Sequence, residues 1–129
     1  MSEPRGLLLI VEDDDSLRQI VSRHLRGKGF DVTEAASAEA ATAVLDDGLR
    51  PDVVFLDINL PIDTGWDLLR GPALRNASPT VLITSAGPVS PKRLLEFRCA
   101  GWLPKPYPLE TLVDTLDRLI GKERNAREK

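Results

Sequence analysis

Four short apolar runs, each ending on a polar residue able to do chemistry, restrict how this chain can fold. Leu7-Leu8-Leu9-Ile10-Val11 leads into Glu12-Asp13-Asp14, and Val53-Val54-Phe55-Leu56 ends on Asp57. Thr80-Val81-Leu82-Ile83 ends on Thr84, and a shorter run around Trp102-Leu103 leads into Lys105-Pro106. Runs this short, bounded by breakers and separated by segments of helical period, read as buried strands of a parallel sheet. In such a sheet the strand C-termini lie along one edge, where ligands bind. Three carboxylates, a fourth carboxylate, a hydroxyl and an ammonium therefore converge on one pocket. Crowded like charges repel unless a cation holds them together, and oxygen-only donors without Cys or His point to Mg²⁺ rather than zinc. A lysine and a hydroxyl beside a metal-bound carboxylate form a cradle for a phosphoryl group.

Helix signals fall between the runs. Leu17, Ile20, Val21 and Leu25 share one helical face, and Gly27-Lys28-Gly29 closes that helix. Phe30 to Glu34 reads as a shorter strand near an edge, because Asp31 and Glu34 flank its apolar positions. Ser37 is an N-cap for a helix packing through Ala40, Ala41, Val44 and Leu45, stopped near Gly48. A helix from Thr64 or Gly65 is cut short near Arg70 by Gly71-Pro72, and Ser90-Pro91 opens another over Lys92 to Phe97. The last begins at Pro108, presents Leu109, Leu112, Val113, Leu116 and Ile120 on one side, and has Gly121 as a C′ residue. Five β units alternating with five α units imply right-handed crossovers and a single doubly wound α/β domain. Its expected extent is residues 1–121, with 122–129 a polar tail, linker or helical extension.

At 129 residues the chain is one domain by length, and its net charge of −3 argues against a general nucleic-acid binder. A lone Cys99 cannot close an internal disulfide, which suggests a reducing compartment. No apolar stretch is long enough to span a membrane, and residues 1–5 lack the apolar core of a signal peptide. The cytosol is the expected location.

The segments at 8–14, 51–61 with Gly65, 81–86 and 101–106 together resemble the receiver domain of two-component response regulators, over about residues 7–120. The resemblance implies a flavodoxin-like (βα)5 fold, a five-stranded parallel sheet of strand order 2-1-3-4-5. It also implies that Asp57 accepts a phosphoryl group from a sensor histidine kinase or phosphotransfer protein, with Mg²⁺ as cofactor. Asp13 then takes the principal metal-ligand position and Glu12 the accessory one. Asp57 itself and the backbone carbonyl of Asn59 complete the set. Asp14 either assists or, like Asp15, serves as an early acid in the following helix. Lys105 would pair with a phosphoryl oxygen, or with Asp57 when that residue is unmodified, and Pro106 is a candidate for a cis bond that aims the lysine inward. Thr84 would hydrogen-bond the phosphoryl group, and Trp102 would turn as the aromatic switch. Partners would dock on the face of helix 4, strand 5 and helix 5. A homodimer is possible, and no nucleic-acid or membrane contact is expected.

Some residues depart from the family pattern. The Asp57-to-Thr84 interval is short, Arg98 stands where glycine commonly precedes strand 5, Asp63 adds an acid, and 86–91 is proline-rich. His24 reads as a boundary histidine and Cys99 as a small core filler. With 129 residues and no room for an output domain, the expectation is a stand-alone receiver or one excised from a longer protein. A haloacid-dehalogenase-like phosphatase would also use a strand-end aspartate and Mg²⁺. It needs a second acid two residues on to protonate the leaving group, and that position is Asn59, which cannot titrate. A flavodoxin would need a first loop that welcomes phosphate, and Glu12-Asp13-Asp14-Asp15 repels it.

Overall fold

The computed structural model describes residues 3–128, with side chains to residue 122. Five strands, β1 (Leu7–Val11), β2 (Asp31–Ala35), β3 (Val53–Asp57), β4 (Thr80–Ser85) and β5 (Gly101–Pro104), form one parallel sheet in the order β2-β1-β3-β4-β5. Around it run α1 (Asp15–Gly27), α2 (Ala38–Asp46), α3 (Gly65–Arg70), α4 (Pro72–Ala77), α5 (Pro91–Glu96) and α6 (Leu109–Glu128). Alternation along β1 feeds two separate cores. Leu9 and Val11 face a cluster completed by α2, α3 and α4, whereas Leu8 and Ile10 face one completed by α1 and α6. Burial on both faces is what makes the central strands read as unbroken apolar runs.

Local chemistry sets the element ends. Ser37 Oγ accepts from the Ala40 amide at 3.0 Å, and Ser90 Oγ accepts from the Arg93 amide at 3.2 Å, each satisfying an otherwise orphaned donor. After α1, Gly29 turns the chain at φ 96°, a conformation costly for any residue with a Cβ.

The structure corrects the sequence reading at five places. β2 is shifted by one, to Asp31–Ala35, because the Phe30 amide closes α1 on Leu25 O and pairing begins at Leu7 opposite Asp31. Ile20 is 57% exposed, so α1 packs through Val21, Ser22 and Leu25. Among the described residues six helices replace five. Pro72, at a helix start where its missing N–H costs nothing, opens α4 immediately after Gly71 ends α3. α5 starts as expected, with Ser90 as N-cap and Pro91 at the first helical position, but ends at Glu96, one residue before Phe97. The last helix does not stop at Gly121 but continues to Glu128, the helical extension among the alternatives read for 122–129, since Gly121 keeps φ negative and no proline follows. The expected boundary at 121 therefore falls inside α6. Lys129 lies outside the described residues.

Candidate functional site

Register brings the ends of the strands together. β1 pairs with β3 through Val11 opposite Leu56, and β3 with β4 through Asp57 opposite Thr84. The residues that follow or end these strands share one edge, and three of them are buried: Glu12 is 4% exposed, Asp57 2% and Thr84 2%. Glu12, Asp13 and Asp57 each place a carboxylate oxygen within 4.8 Å of the others. Asp13 is the exposed member.

Lys105 closes the pocket from the end of β5. Its Nζ stands 2.7 Å from Glu12 Oε1 and 3.0 Å from Asp57 Oδ2. The Lys105-Pro106 peptide bond is cis, and the Lys105 amide donates to the Ser85 carbonyl at 2.9 Å. The other Asp57 oxygen, Oδ1, accepts the Asn59 amide at 2.8 Å. The exposed Asn59 side chain reaches across to the next loop, its Oδ1 accepting from the Ala86 amide at 3.1 Å. Thr84 Oγ1 is buried and has no hydrogen-bond partner among the described residues. A buried hydroxyl left unpaired costs free energy, so this one is poised for a partner that arrives.

The electrostatics follow from crowding. Burial pushes the Glu12 carboxyl up to about 7; Lys105 and the Asp14 amide oppose the rise and the Asp57 carboxylate adds to it. Burial draws the Lys105 ammonium down, but hydrogen bonds to Glu12 and Asp57 and their charges outweigh it and hold it above its ordinary value. Tyr107, edge-on to Phe55 at 5.3 Å, is raised by burial and then by the same two carboxylates. Oxygen donors from two strand ends, all carboxylate and none sulfur or imidazole, fit a hard divalent cation.

Of the candidate residues, Glu12, Asp13, Asp57, Asn59, Thr84 and Lys105 gather at this edge. Asp14 does not join them, because its side chain is the N-cap of α1 and accepts the Leu17 amide at 3.0 Å. Asp15 pairs with Arg18 at 2.7 Å. Trp102, opposite Ile83, packs on the core under α2 to α4, and its indole N–H donates to Ser85 Oγ at 3.2 Å. His24 sits at the α1–α6 boundary with Nε2 3.2 Å from Glu110 Oε1. Three residues escaped the sequence reading. Arg18 holds the Glu12 carbonyl at 2.9 Å and Glu34 at 3.3 Å. Its position in the first turn of the helix that follows the acids was the available signal. Ser85 and Tyr107 each flank a residue already singled out, and only contact geometry distinguishes them.

Comparison with known proteins agrees with this geometry. The family model of the response regulator receiver domain matches residues 8–117. The transcriptional regulatory protein CpxR of Escherichia coli (strain K12) is 32% identical over 114 residues, 88% of this chain and 48% of that protein. The DNA-binding response regulator MtrA of Mycolicibacterium smegmatis is 38% identical over 86 residues, 66% of this chain and 37% of that one. The chain spans about half the length, or less, of these curated relatives. Among solved structures, the chemotaxis protein CheY4 of Vibrio cholerae matches with TM-score 0.80 at 30% identity, covering 92% of this chain and 99% of that one. A CheY-like receiver domain protein of Methanospirillum hungatei JF-1 shares the fold, with TM-score 0.85 at 20% identity over 97% and 99% of the two chains.

Proposed function

The chain belongs to the response regulator receiver domain family, and on that premise we propose that Asp57 accepts a phosphoryl group from a sensor histidine kinase or phosphotransfer protein. One observation carries the reading: a single ammonium, Lys105 Nζ, bridges two buried carboxylates beside a buried hydroxyl that has no partner among the described residues. That arrangement gives an incoming phosphoryl group a nucleophile, a cation and a hydrogen-bond donor at once.

In the transfer, the phosphorus–nitrogen bond of the donor phosphohistidine breaks as an Asp57 oxygen bonds to phosphorus. The electron pair leaves with the donor imidazole. Lys105 exchanges its contact with the carboxylate for one with a phosphoryl oxygen, and Thr84 Oγ1 donates to another. Mg²⁺, held by Asp13, Glu12, Asp57 and the Asn59 backbone carbonyl, would supply neutralisation of the gathered negative charge. Asn59 cannot donate or take a proton, so no residue there drives rapid hydrolysis, and the chemistry is self-phosphorylation and self-dephosphorylation rather than turnover of monoesters.

The output is a changed surface. As Thr84 turns toward the phosphoryl group, Trp102 gains room to move, and the face of α5, β5 and α6 is remodelled for a downstream protein or a second copy. The extra helix α4 makes this the same face as helix 4, strand 5 and helix 5 in the sequence numbering. A cytosolic location fits a lone free Cys99. No helix among the described residues is long and apolar enough to cross a membrane.

Incubation with Mg²⁺ and acetyl phosphate tests the assignment. Intact mass should show one phosphoryl adduct, absent from Asp57→Asn and dependent on Asp13. An adduct that survives in Asp57→Asn, or steady phosphate release from assorted monoesters, overturns it.

A further inference from the structure

Arg18 grips the backbone on both sides of Asp13. Its amide donates to the Asp14 carbonyl at 2.9 Å, and its guanidinium Nη1 donates to the Glu12 carbonyl at 2.9 Å. Two further bonds steady the same loop: the Glu12 amide donates to the Ala35 carbonyl at 3.1 Å, and the Asp14 amide to Glu12 Oε2 at 3.2 Å. The exposed Asp13 carboxylate makes no hydrogen bond or ion pair among the described residues. Its place within 4.8 Å of the Glu12 and Asp57 oxygens is therefore set by the backbone that carries it. Each peptide unit is planar, so a carbonyl held at Glu12 also fixes the plane of the amide that leads into Asp13.

The bond to Asp14 is the ordinary opening bond of α1, which any residue at 18 except proline would make. The bond to Glu12 needs this side chain. All three guanidinium nitrogens are used, each on a different acceptor: Nη1 on the Glu12 carbonyl, Nε 3.3 Å from Glu34 Oε1 on β2, and Nη2 2.7 Å from Asp15 Oδ1. Glu34 is itself held at its other oxygen by Arg26 Nη1 at 3.2 Å. A planar fork with donors at fixed angles is thus anchored to β2 and to α1, and its remaining arm reaches the loop of acids. A lysine ammonium carries the same charge on a flexible stem, without that fork.

We propose that Arg18 is a positioning residue for the cation site, setting the Glu12–Asp13 peptide so that the Asp13 carboxylate meets Mg²⁺ in the geometry this ion demands. This rests on the reading of Glu12, Asp13 and Asp57 as metal ligands given above. The sign of the effect follows from the ion. Mg²⁺ is small and requires a near-octahedral set of oxygens at short distance, whereas Ca²⁺ accepts more ligands at longer and more variable distances. A misaimed carboxylate therefore weakens Mg²⁺ more than Ca²⁺. Loss of a nearby positive charge would instead strengthen both dications alike. Arg18→Lys keeps the charge and removes the fork, so what it changes is geometry.

The test is calorimetric titration of the full chain with magnesium chloride and, separately, with calcium chloride, Asp13→Ala serving to identify the site. Groups that orient metal ligands change affinity by about 10- to 100-fold when lost. Arg18→Lys should accordingly weaken Mg²⁺ about tenfold and Ca²⁺ by a clearly smaller factor. Glu34→Gln, which loosens the guanidinium from the β2 side and leaves its bond to the Glu12 carbonyl, should shift the Mg²⁺-to-Ca²⁺ ratio the same way by less. Circular dichroism and urea denaturation establish that each variant is folded. Should Arg18→Lys not fold, Glu34→Gln decides, and an unchanged ratio there refutes the role. Equal changes for the two ions in Arg18→Lys, or none, also refute it while the receiver assignment stands. If the parent takes up no Mg²⁺, or its uptake survives Asp13→Ala, the metal reading itself falls and takes the positioning role with it.

Discussion

On one face of the sheet lie two long helices, α1 of 13 residues and α6 of 20, and α6 alone buries Leu112, Val113, Leu116, Leu119 and Ile120. Beyond α2 on the other face lie three helices of six residues each, and α5 buries none of its own. What holds α5 is partial burial, Leu94 packing half-buried against the core with Phe97 and Trp66, and an aromatic stack over it: Trp66 of α3 lies on Phe97 at 5.2 Å, with the Arg93 guanidinium over Trp66 and the Arg70 guanidinium over Phe97, each at 5.3 Å. Such contacts contribute about 0.5–1 kcal/mol each at exposed sites, much less than buried aliphatic packing. The difference assigns roles. A switching domain needs one face that keeps the carboxylates aligned and another that can rearrange for little free energy, and elements that move come from the less stable end of a fold.

Truncating equivalent side chains on the two faces should show the largest contrast. Leu112 of α6 is fully buried and Leu95 of α5 is 81% exposed. Leu112→Ala should lose about 3 kcal/mol in urea denaturation, and Leu95→Ala less than about 0.5 kcal/mol. Equal losses would dissolve the distinction.

Where the soft face meets the site, the backbone is unforgiving. A Cβ at Gly65 would stand 2.7 Å from Ile58 Cα and 3.0 Å from the Asp57 carbonyl, both backbone atoms that cannot swing aside. Gly65→Ala should therefore cost about 2 kcal/mol and slow acetyl phosphate labelling, because the forced shift falls on the acceptor residue. Normal labelling by a destabilised variant would show that Asp57 is positioned independently of α3.

Each face also carries a backbone fault that can be removed. Gly121 sits inside α6, and a Cβ added there would meet nothing within 4 Å, so Gly121→Ala should gain about 1 kcal/mol. Arg98 follows α5 at φ 53°, a left-handed conformation that glycine adopts freely. Relief of that strain, partly offset by the greater unfolded-state freedom of glycine, should give Arg98→Gly about 0.5 kcal/mol. Thermal unfolding of the two variants and their double mutant checks both, and the gains should add because the sites lie on different faces.

The same asymmetry decides what the sequence could tell. Buried strands and strong amphipathic helices write themselves as runs and periods, so β1, β3, β4, α2 and the core of α6 were legible, and with them the edge that gathers Glu12, Asp13, Asp57, Thr84 and Lys105. Short helices write little. Pro72 looked like the end of a helix when it is the start of another, because the same missing N–H suits both. Gly121 looked like a stop, though glycine only permits one. Asp14 offered a carboxylate at the right position for two tasks, and spacing alone could not show that the Leu17 amide had taken it. The Trp102–Ser85 contact lies across neighbouring strands, where register rather than spacing brings the residues together.

Cys99 gives the finest probe of the soft face. Its amide closes the turn after α5 on the Leu94 carbonyl, its side chain packs against the core on that side, and burial pushes its thiol from 9.0 up to about 11. The thiolate is the species that reacts, so at pH 8 alkylation should run about 100-fold slower than for an unperturbed cysteine. The sign follows from the shift: the rate should climb as pH rises toward 11, and unfolding should abolish the protection. Beryllofluoride with Mg²⁺ should raise the rate at fixed pH if the face under α5 loosens as the switch turns, since opening both exposes the sulfur and lowers its pKa toward 9.0. A rate indifferent to the mimic, in a chain where Trp102 responds to it, would mean that the ring moves without α5 and that the soft face yields in a smaller piece than its packing suggests.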